Sequence, residues 1–293
     1  MRNLFTCFFM GLTLAAFAQK PSLEHLKDSI VLKLKAVEGE FGVAFKDLQT
    51  NQTLFINEKE NFHAASTMKT PVMIEVFKQA KAGKFKLTDS ILVKNEFKSI
   101  VDGSPFSLDI GDDSADEMYQ KIGTKMTIYD LTYQMIIVSS NLATNILIDL
   151  IDAKNANATM RKMGAQDIQV LRGVEDTKAF NLNKNNSVTA YDLMLIFEQI
   201  ARKKVVNKKS SEAMTQILFD QKFNELIPGR LPKEVKVAHK TGSITGVQHD
   251  SGIVFLPDGR KYVLVILSKK LTNVKAGVKV LAEVSEMIYN FVK

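Results

Sequence analysis

Apolar residues recur along this chain in two rhythms, and the rhythm changes twice. In PSLEHLKDSIVLKLKAVEG, residues 21–39, Leu23, Leu26, Ile30, Leu34 and Val37 fall at the spacing that lines one face of a helix. FGVAFKD and TLFIN follow, separated by a polar turn carrying Asn51, and predict a hairpin. A helix is predicted from about 66 to 82, with Ser66 as its N-cap. Pro71 sits late in it for a first-turn proline and is expected to tighten or kink the start. From about 83 to 205 the pattern is mainly helical: TIYDLTYQMIIVSS behind a Thr127 cap, NLATNILIDLID, NATMRKMG and TAYDLMLIFEQIARK. Strand patterning then returns in VKVAHKTGS, SGIVFL and KYVLVILS, the last two joined by a Pro257-Asp258-Gly259 turn. A helix over about 274–291 closes the chain.

Strand-forming segments at both ends and helices between them predict an α+β (mixed α/β) fold. An antiparallel sheet assembled from both ends would be flanked by the N- and C-terminal helices. An all-α lobe would stand beside it. The expected division is a sheet lobe from 19–82 and 206–293, an all-α lobe from 83–205, and a cleft between them suited to a small-molecule site.

Residues 1–18 read as a signal peptide. Met1-Arg2-Asn3 gives a positive start, and the apolar run from Leu4 ends in Ala16-Phe17-Ala18. The run is too short to span a bilayer, so cleavage near Ala18 and a secreted or periplasmic monomer without a stable membrane anchor are expected. Cys7, the chain's single cysteine, lies inside that segment, so the remainder uses no disulfide. A chain of 293 residues needs none, because it buries about 75% of its unfolded surface.

The formal charge of +7 raises nucleic acid as a partner. The lysines are spread along the chain, however, and the densest run, ARKKVVNKKS at 201–210, has no interleaved aromatics. It reads as a solvated helix end and loop, and no nucleic-acid partner is expected. His25, His63, His239 and His249 are scattered and match no metal-ligand spacing, so neither metal nor cofactor is expected.

Four stretches carry chemistry. AASTMKTPVM sets Ser66 three residues before Lys69, on one helical face. SSNLATN, 139–145, lies between two helices; RGVEDTKAFNLNKNN, 172–186, is polar and aperiodic; HKTGSITG, 239–246, lies on a strand of the terminal sheet. Singly each is weak, since S-x-x-K arises by chance and Ser and Asn commonly cap helices. In this order, S-x-x-K, S-x-N and K-T-G resemble the class A β-lactamases and penicillin-binding proteins, over nearly the whole mature chain. The resemblance implies a sheet lobe beside an all-α lobe, with the serine at the head of a buried helix between them.

It also implies roles. Ser66 would be the nucleophile and Lys69 the group that takes its proton. To do so Lys69 must be neutral, well below the ordinary lysine pKa of about 10.4. Partial burial, the positive helix end and Lys240 would each push that value down. Ser139 would pass a proton to the departing nitrogen, with Lys240 tuning its hydroxyl. Asn141 would donate to a substrate carbonyl and to Lys69. Lys240 and Thr241 suit a substrate carboxylate, and Gly242 would let substrate lie along the strand. The N–H groups of Ser66 and Ser243 would form the oxyanion hole. The family places a deacylating glutamate roughly 30 residues beyond the asparagine that here is Asn145, and position 175 is Glu.

The match departs from the family pattern in places. Ser140 replaces an aspartate, a change expected to affect local bracing. Ala179 stands where an asparagine usually holds the water, with Asn181 as a substitute. Arg172 is one position off from the arginine that pins the loop. Gln248 or His249 would serve for the arginine absent after K-T-G. VDGSPFSLDIGDDSADEMYQK is longer than the family's middle segment. Three functions stay open: β-lactam hydrolysis, a D-Ala-D-Ala peptidase or related amidase or esterase acting on cell-wall peptide, and a non-catalytic envelope-binding or sensing protein.

Overall fold

A computed structural model of the protein describes residues 22–293, and the expected signal peptide lies outside them. Five strands, β1 (Glu40–Asp47), β2 (Thr53–Ile56), β3 (Lys236–Ile244), β4 (Val247–Phe255) and β5 (Lys261–Lys269), form one antiparallel sheet ordered β2-β1-β5-β4-β3. The helices are α1 (Leu23–Lys35), α2 (Lys69–Lys81), α3 (Ile128–Ile137), α4 (Asn141–Ile151), α5 (Ala153–Lys162), α6 (Thr177–Asn181), α7 (Ala190–Ala201), α8 (Lys208–Phe219) and α9 (Val274–Val292). The first hairpin turns on Asn51, whose φ of 60° suits an asparagine.

Each sheet face has its own apolar layer, set by alternation along the central strands. On β5, Tyr262, Leu264 and Ile266 pack against Leu26, Ile30 and Leu34 of α1 and Val280, Leu281, Val284 and Ile288 of α9. Val263, Val265 and Leu267 face the other way, into the larger core of α2–α5, α7 and α8. Both end helices are pinned by side-chain caps, Ser22 on His25 N–H and Asn273 on Ala276 N–H. Within the larger core α2 is central, buried from Lys69 through Phe77.

Two local expectations need correction. The helix expected from Ser66 begins as a 3-10 turn, Ala65–Met68, and the α-helix opens only at Lys69. Ser66 therefore caps nothing, and Pro71 falls in a true first turn, where a missing N–H does no harm. Helix α8 lies outside the expected elements. Its buried Met214, Ile217 and Leu218 have helical spacing, but a Lys-Lys-Ser-Ser-Glu start conceals it, and Asn207 caps it through Ser210 N–H.

Among the described residues, no helix is long and apolar enough to cross a membrane. No group of three or more His, Cys, Asp or Glu could hold a metal there.

Candidate active site

Edge strand β3, the 65–68 turn, the α3–α4 turn and the 172–186 loop meet around a cleft of about 820 Å³. Ser66, Ser139, Asn141, Glu175, Thr241, Gly242 and Ser243 all line it. Lys69 and Lys240 stand behind that lining, wholly buried. Gly242 allows a close approach: a Cβ there would lie 3.1 Å from the Ser66 nitrogen and 3.2 Å from Ala65 Cβ, tight enough to push the turn by a few tenths of an ångström. Its small size thus lets the edge strand run against the turn that carries Ser66.

Lys69 Nζ lies 2.6 Å from the Ser139 carbonyl, 2.9 Å from Asn141 Oδ1 and 3.2 Å from Ser139 Oγ. Asn141 therefore accepts from Lys69 rather than donating to it. A neutral amine has two hydrogens and one lone pair. The carbonyl and amide oxygens, which can only accept, use both hydrogens and leave the lone pair for a hydroxyl. The hydroxyl within hydrogen-bonding distance here is that of Ser139, and Lys69 makes no hydrogen bond to Ser66. Burial lowers the Lys69 pKa to about 7, against the opposing pull of Asp113 and Glu175. Lys240 Nζ is 3.0 Å from the same Ser139 Oγ. Burial and the Lys69 charge push Lys240 well below the usual lysine range. Burial thus dominates on Lys69, and the repulsion between the two amines is felt at Lys240.

Behind Lys240, Asp250 pairs across the strands with Thr241 and lies 2.9 Å from His239 Nδ1. It also accepts the N–H groups of Ile227 and Ser251, which satisfies a buried carboxylate.

Across the cleft, Glu175 Oε1 accepts from Asn141 Nδ2 at 3.2 Å and Oε2 from Asp109 N–H at 3.0 Å. Partial burial raises its pKa, although both hydrogen bonds oppose the rise. Arg172 clasps the loop, donating to the carbonyls of Lys184 and Gly173 and to Asn185 Oδ1. Asn145 closes it from α4 through two bonds to the Val174 backbone, 2.6 and 2.9 Å. Ala65, Ser139 and Glu175 all adopt positive φ, at 44°, 59° and 63°. Each such residue stores roughly 1–3 kcal/mol, a strain often concentrated at functional sites.

The sequence matches the model of the beta-lactamase enzyme family over residues 24–292. The chain belongs to that family. It is 24% identical over 282 residues to the β-lactamase VEB-1 of Pseudomonas aeruginosa, covering 90% of each chain. Among solved structures it is similar to a β-lactamase from Chitinophaga pinensis DSM 2588, with 22% identity and a TM-score of 0.79, covering 92% of this chain and 99% of that one. It is likewise similar to PBP-A, with 25% identity, a TM-score of 0.78, and coverage of 92% and 96%. The protein is accordingly a serine β-lactamase-like hydrolase.

Within this β-lactamase-family fold the departures noted in the sequence have specific outcomes. Ala179 is buried, while Asn181 is exposed at the end of α6 and does not line the cleft. His249 is buried and bonded to the His63 carbonyl at 2.9 Å, with burial lowering its pKa to about 4. Gln248 is the one of the pair that reaches the cleft, donating to Ser243 Oγ at 2.7 Å. The long middle segment reaches the site through three aspartates: Asp112 lines the cleft, Asp109 N–H holds Glu175, and Asp113 accepts from Asn141 N–H. Sequence reasoning missed these residues, together with Phe223 and Leu226 on the cleft wall. The only signal was the segment's unusual length.

Proposed function

We propose that the protein opens the β-lactam ring through an acyl-Ser66 intermediate, which a water activated by Glu175 then hydrolyses. Lys69 takes the Ser66 hydroxyl proton as Oγ attacks the ring carbonyl, and the N–H groups of Ser66 and Ser243 hold the oxyanion. The C–N bond then breaks, and the nitrogen receives a proton through the Ser139 hydroxyl, which lies within hydrogen-bonding distance of both lysines. Glu175 next takes a proton from water. The hydroxide adds to the acyl carbon, the ester C–O bond to Ser66 breaks, and the proton held by Glu175 returns to the Ser66 oxygen. Thr241, with Gln248 beside Ser243, receives the substrate carboxylate. From the leader sequence we also place this activity outside the cytoplasm, after cleavage near Ala18.

One observation carries the reading. A single amide, Asn141, joins Lys69 at 2.9 Å to Glu175 at 3.2 Å, so both proposed bases are tied to one side chain that lines the same cleft as Ser66. The test is nitrocefin hydrolysis, expected in the wild type and abolished in Ser66→Ala. Full activity in that variant would refute the proposal.

A second reading, a D-Ala-D-Ala peptidase or penicillin-binding protein, draws on Glu175. Each of its oxygens already accepts one hydrogen bond, and Ala179 offers no polar side chain to hold a water beside it. PBP-A, one of the similar structures, was also solved as a point mutant in an acyl-enzyme complex with penicillin G. An acyl-enzyme lasting minutes to hours would favour that reading.

A further inference from the structure

Helix α4 opens on the turn Ser139-Ser140-Asn141, which carries no carboxylate of its own. One arrives from the long middle segment. Asp113 is buried, and its Oδ2 accepts the N–H groups of Asn141 and Leu142, each at 2.9 Å, and the Ser140 hydroxyl at 3.5 Å. The Tyr119 hydroxyl donates to the same oxygen at 3.3 Å, and Ala115 N–H donates to Oδ1 at 3.1 Å. An anion thus sits on the first turn of α4, where unsatisfied N–H groups and the helix dipole favour it.

The residues it fixes are the ones that address Lys69. Asn141, whose N–H Asp113 holds, contacts Lys69 through its side chain. Ser139, two positions earlier, contacts Lys69 through both its carbonyl and its hydroxyl. We propose that Asp113 is a positioning residue for acylation: its carboxylate pins the start of α4 and so sets Ser139 and Asn141 against the Lys69 amine. The proposal rests on the reading of Lys69 as the base of that step.

Asp113 also acts on Lys69 through its charge. The charged groups facing Lys69 are Asp113 and Glu175, which favour the ammonium form, and Lys240, which is backed by Asp250. Tyr119, also facing Asp113, is held protonated by burial and by the carboxylates of Asp113, Glu175 and Asp109. Asp112 acts on Glu175. Removing the Asp113 charge favours neutral Lys69, so the acid limb of acylation must move to lower pH. Asp113→Asn keeps an oxygen for the helix N–H groups, since asparagine caps as well as aspartate. A purely structural cap would therefore leave the limb in place.

The experiment is the second-order rate of Ser66 labelling by a penicillin, read by intact mass from about pH 5 to 9. In Asp113→Asn the acid limb is expected roughly one pH unit lower than in wild type. An unmoved limb in a folded variant would overturn the proposal. Asp113→Glu keeps the charge but displaces the cap by one methylene, so the limb should stay while the plateau rate falls several-fold. An undiminished plateau there would equally overturn it, even if Asp113→Asn does not fold. A wild type that never labels is a different result: it removes the acyl-serine reading, and this inference with it.

Discussion

On one wall of the cleft, Ser66 and Lys69 sit where a 3-10 turn runs into the buried helix α2, and Lys240 projects from a nine-residue strand. Regular secondary structure fixes these backbones, and both amines are fully buried. On the other wall, Glu175 sits in a stretch whose sole helix, α6, has five residues. Its carboxylate is aimed by one amide and one backbone N–H, and its loop is closed by the side chains of Arg172 and Asn145. The first wall is held by packing, which resists displacement because a dense core has few alternative arrangements. The second is held by individual hydrogen bonds, each worth about 1 kcal/mol net. Under the proposed function, acylation should be robust and deacylation fragile.

That asymmetry can be broken from either side. Lys69→Ala should have the largest effect, lowering the acylation rate roughly 10²–10⁴-fold, measured as Ser66 labelling by a penicillin. Labelling at the wild-type rate would separate Lys69 from the chemistry. Gly242→Ala puts a Cβ 3.1 Å from the Ser66 nitrogen. Since sub-ångström displacement of a reacting group is costly, acylation should fall roughly tenfold or more while deacylation of formed ester changes little. Arg172→Ala removes three donors from the loop carbonyls and Asn185, and should do the reverse. Deacylation is expected to slow roughly tenfold by single-turnover kinetics, with acylation near wild type. Equal losses in both steps would remove the distinction between the walls.

The smallest effect is a pH dependence in the unmodified protein. With the Lys69 pKa at about 7, the neutral, proton-accepting form gains population as pH rises through neutrality. Acylation should climb with pH and level off above that point. A rate flat across neutrality would place the Lys69 pKa elsewhere.

The same two walls differ in how far the sequence discloses them. S-x-x-K, S-x-N and K-T-G are contiguous patterns on elements with a clear hydrophobic period, so residues 66, 69, 139, 141 and 240–243 could be read off and placed on their helices and strand. Glu175 was found only by its distance from Asn145, and of its supports Arg172 stood out only as an arginine one position off, while Asp109 carried no signal. Asp109 and Asp113 come from a segment with no period, and one acts through a backbone N–H, which no side-chain pattern records. Asn181 and His249 show the converse error. Both are polar and nearby in sequence, yet one points to solvent and the other is locked to a main-chain carbonyl. The sheet's two-sided burial was legible in the alternation of KYVLVILS, whereas α8 was hidden by its lysine-rich start.

The most direct measurement is intact mass spectrometry of wild type and Glu175→Gln mixed with a penicillin and sampled from seconds to minutes. Wild type should show a transient adduct, and Glu175→Gln a persistent one on Ser66, formed at nearly the same rate. Equal adduct lifetimes in the two proteins would contradict the assignment of Glu175 to the attacking water.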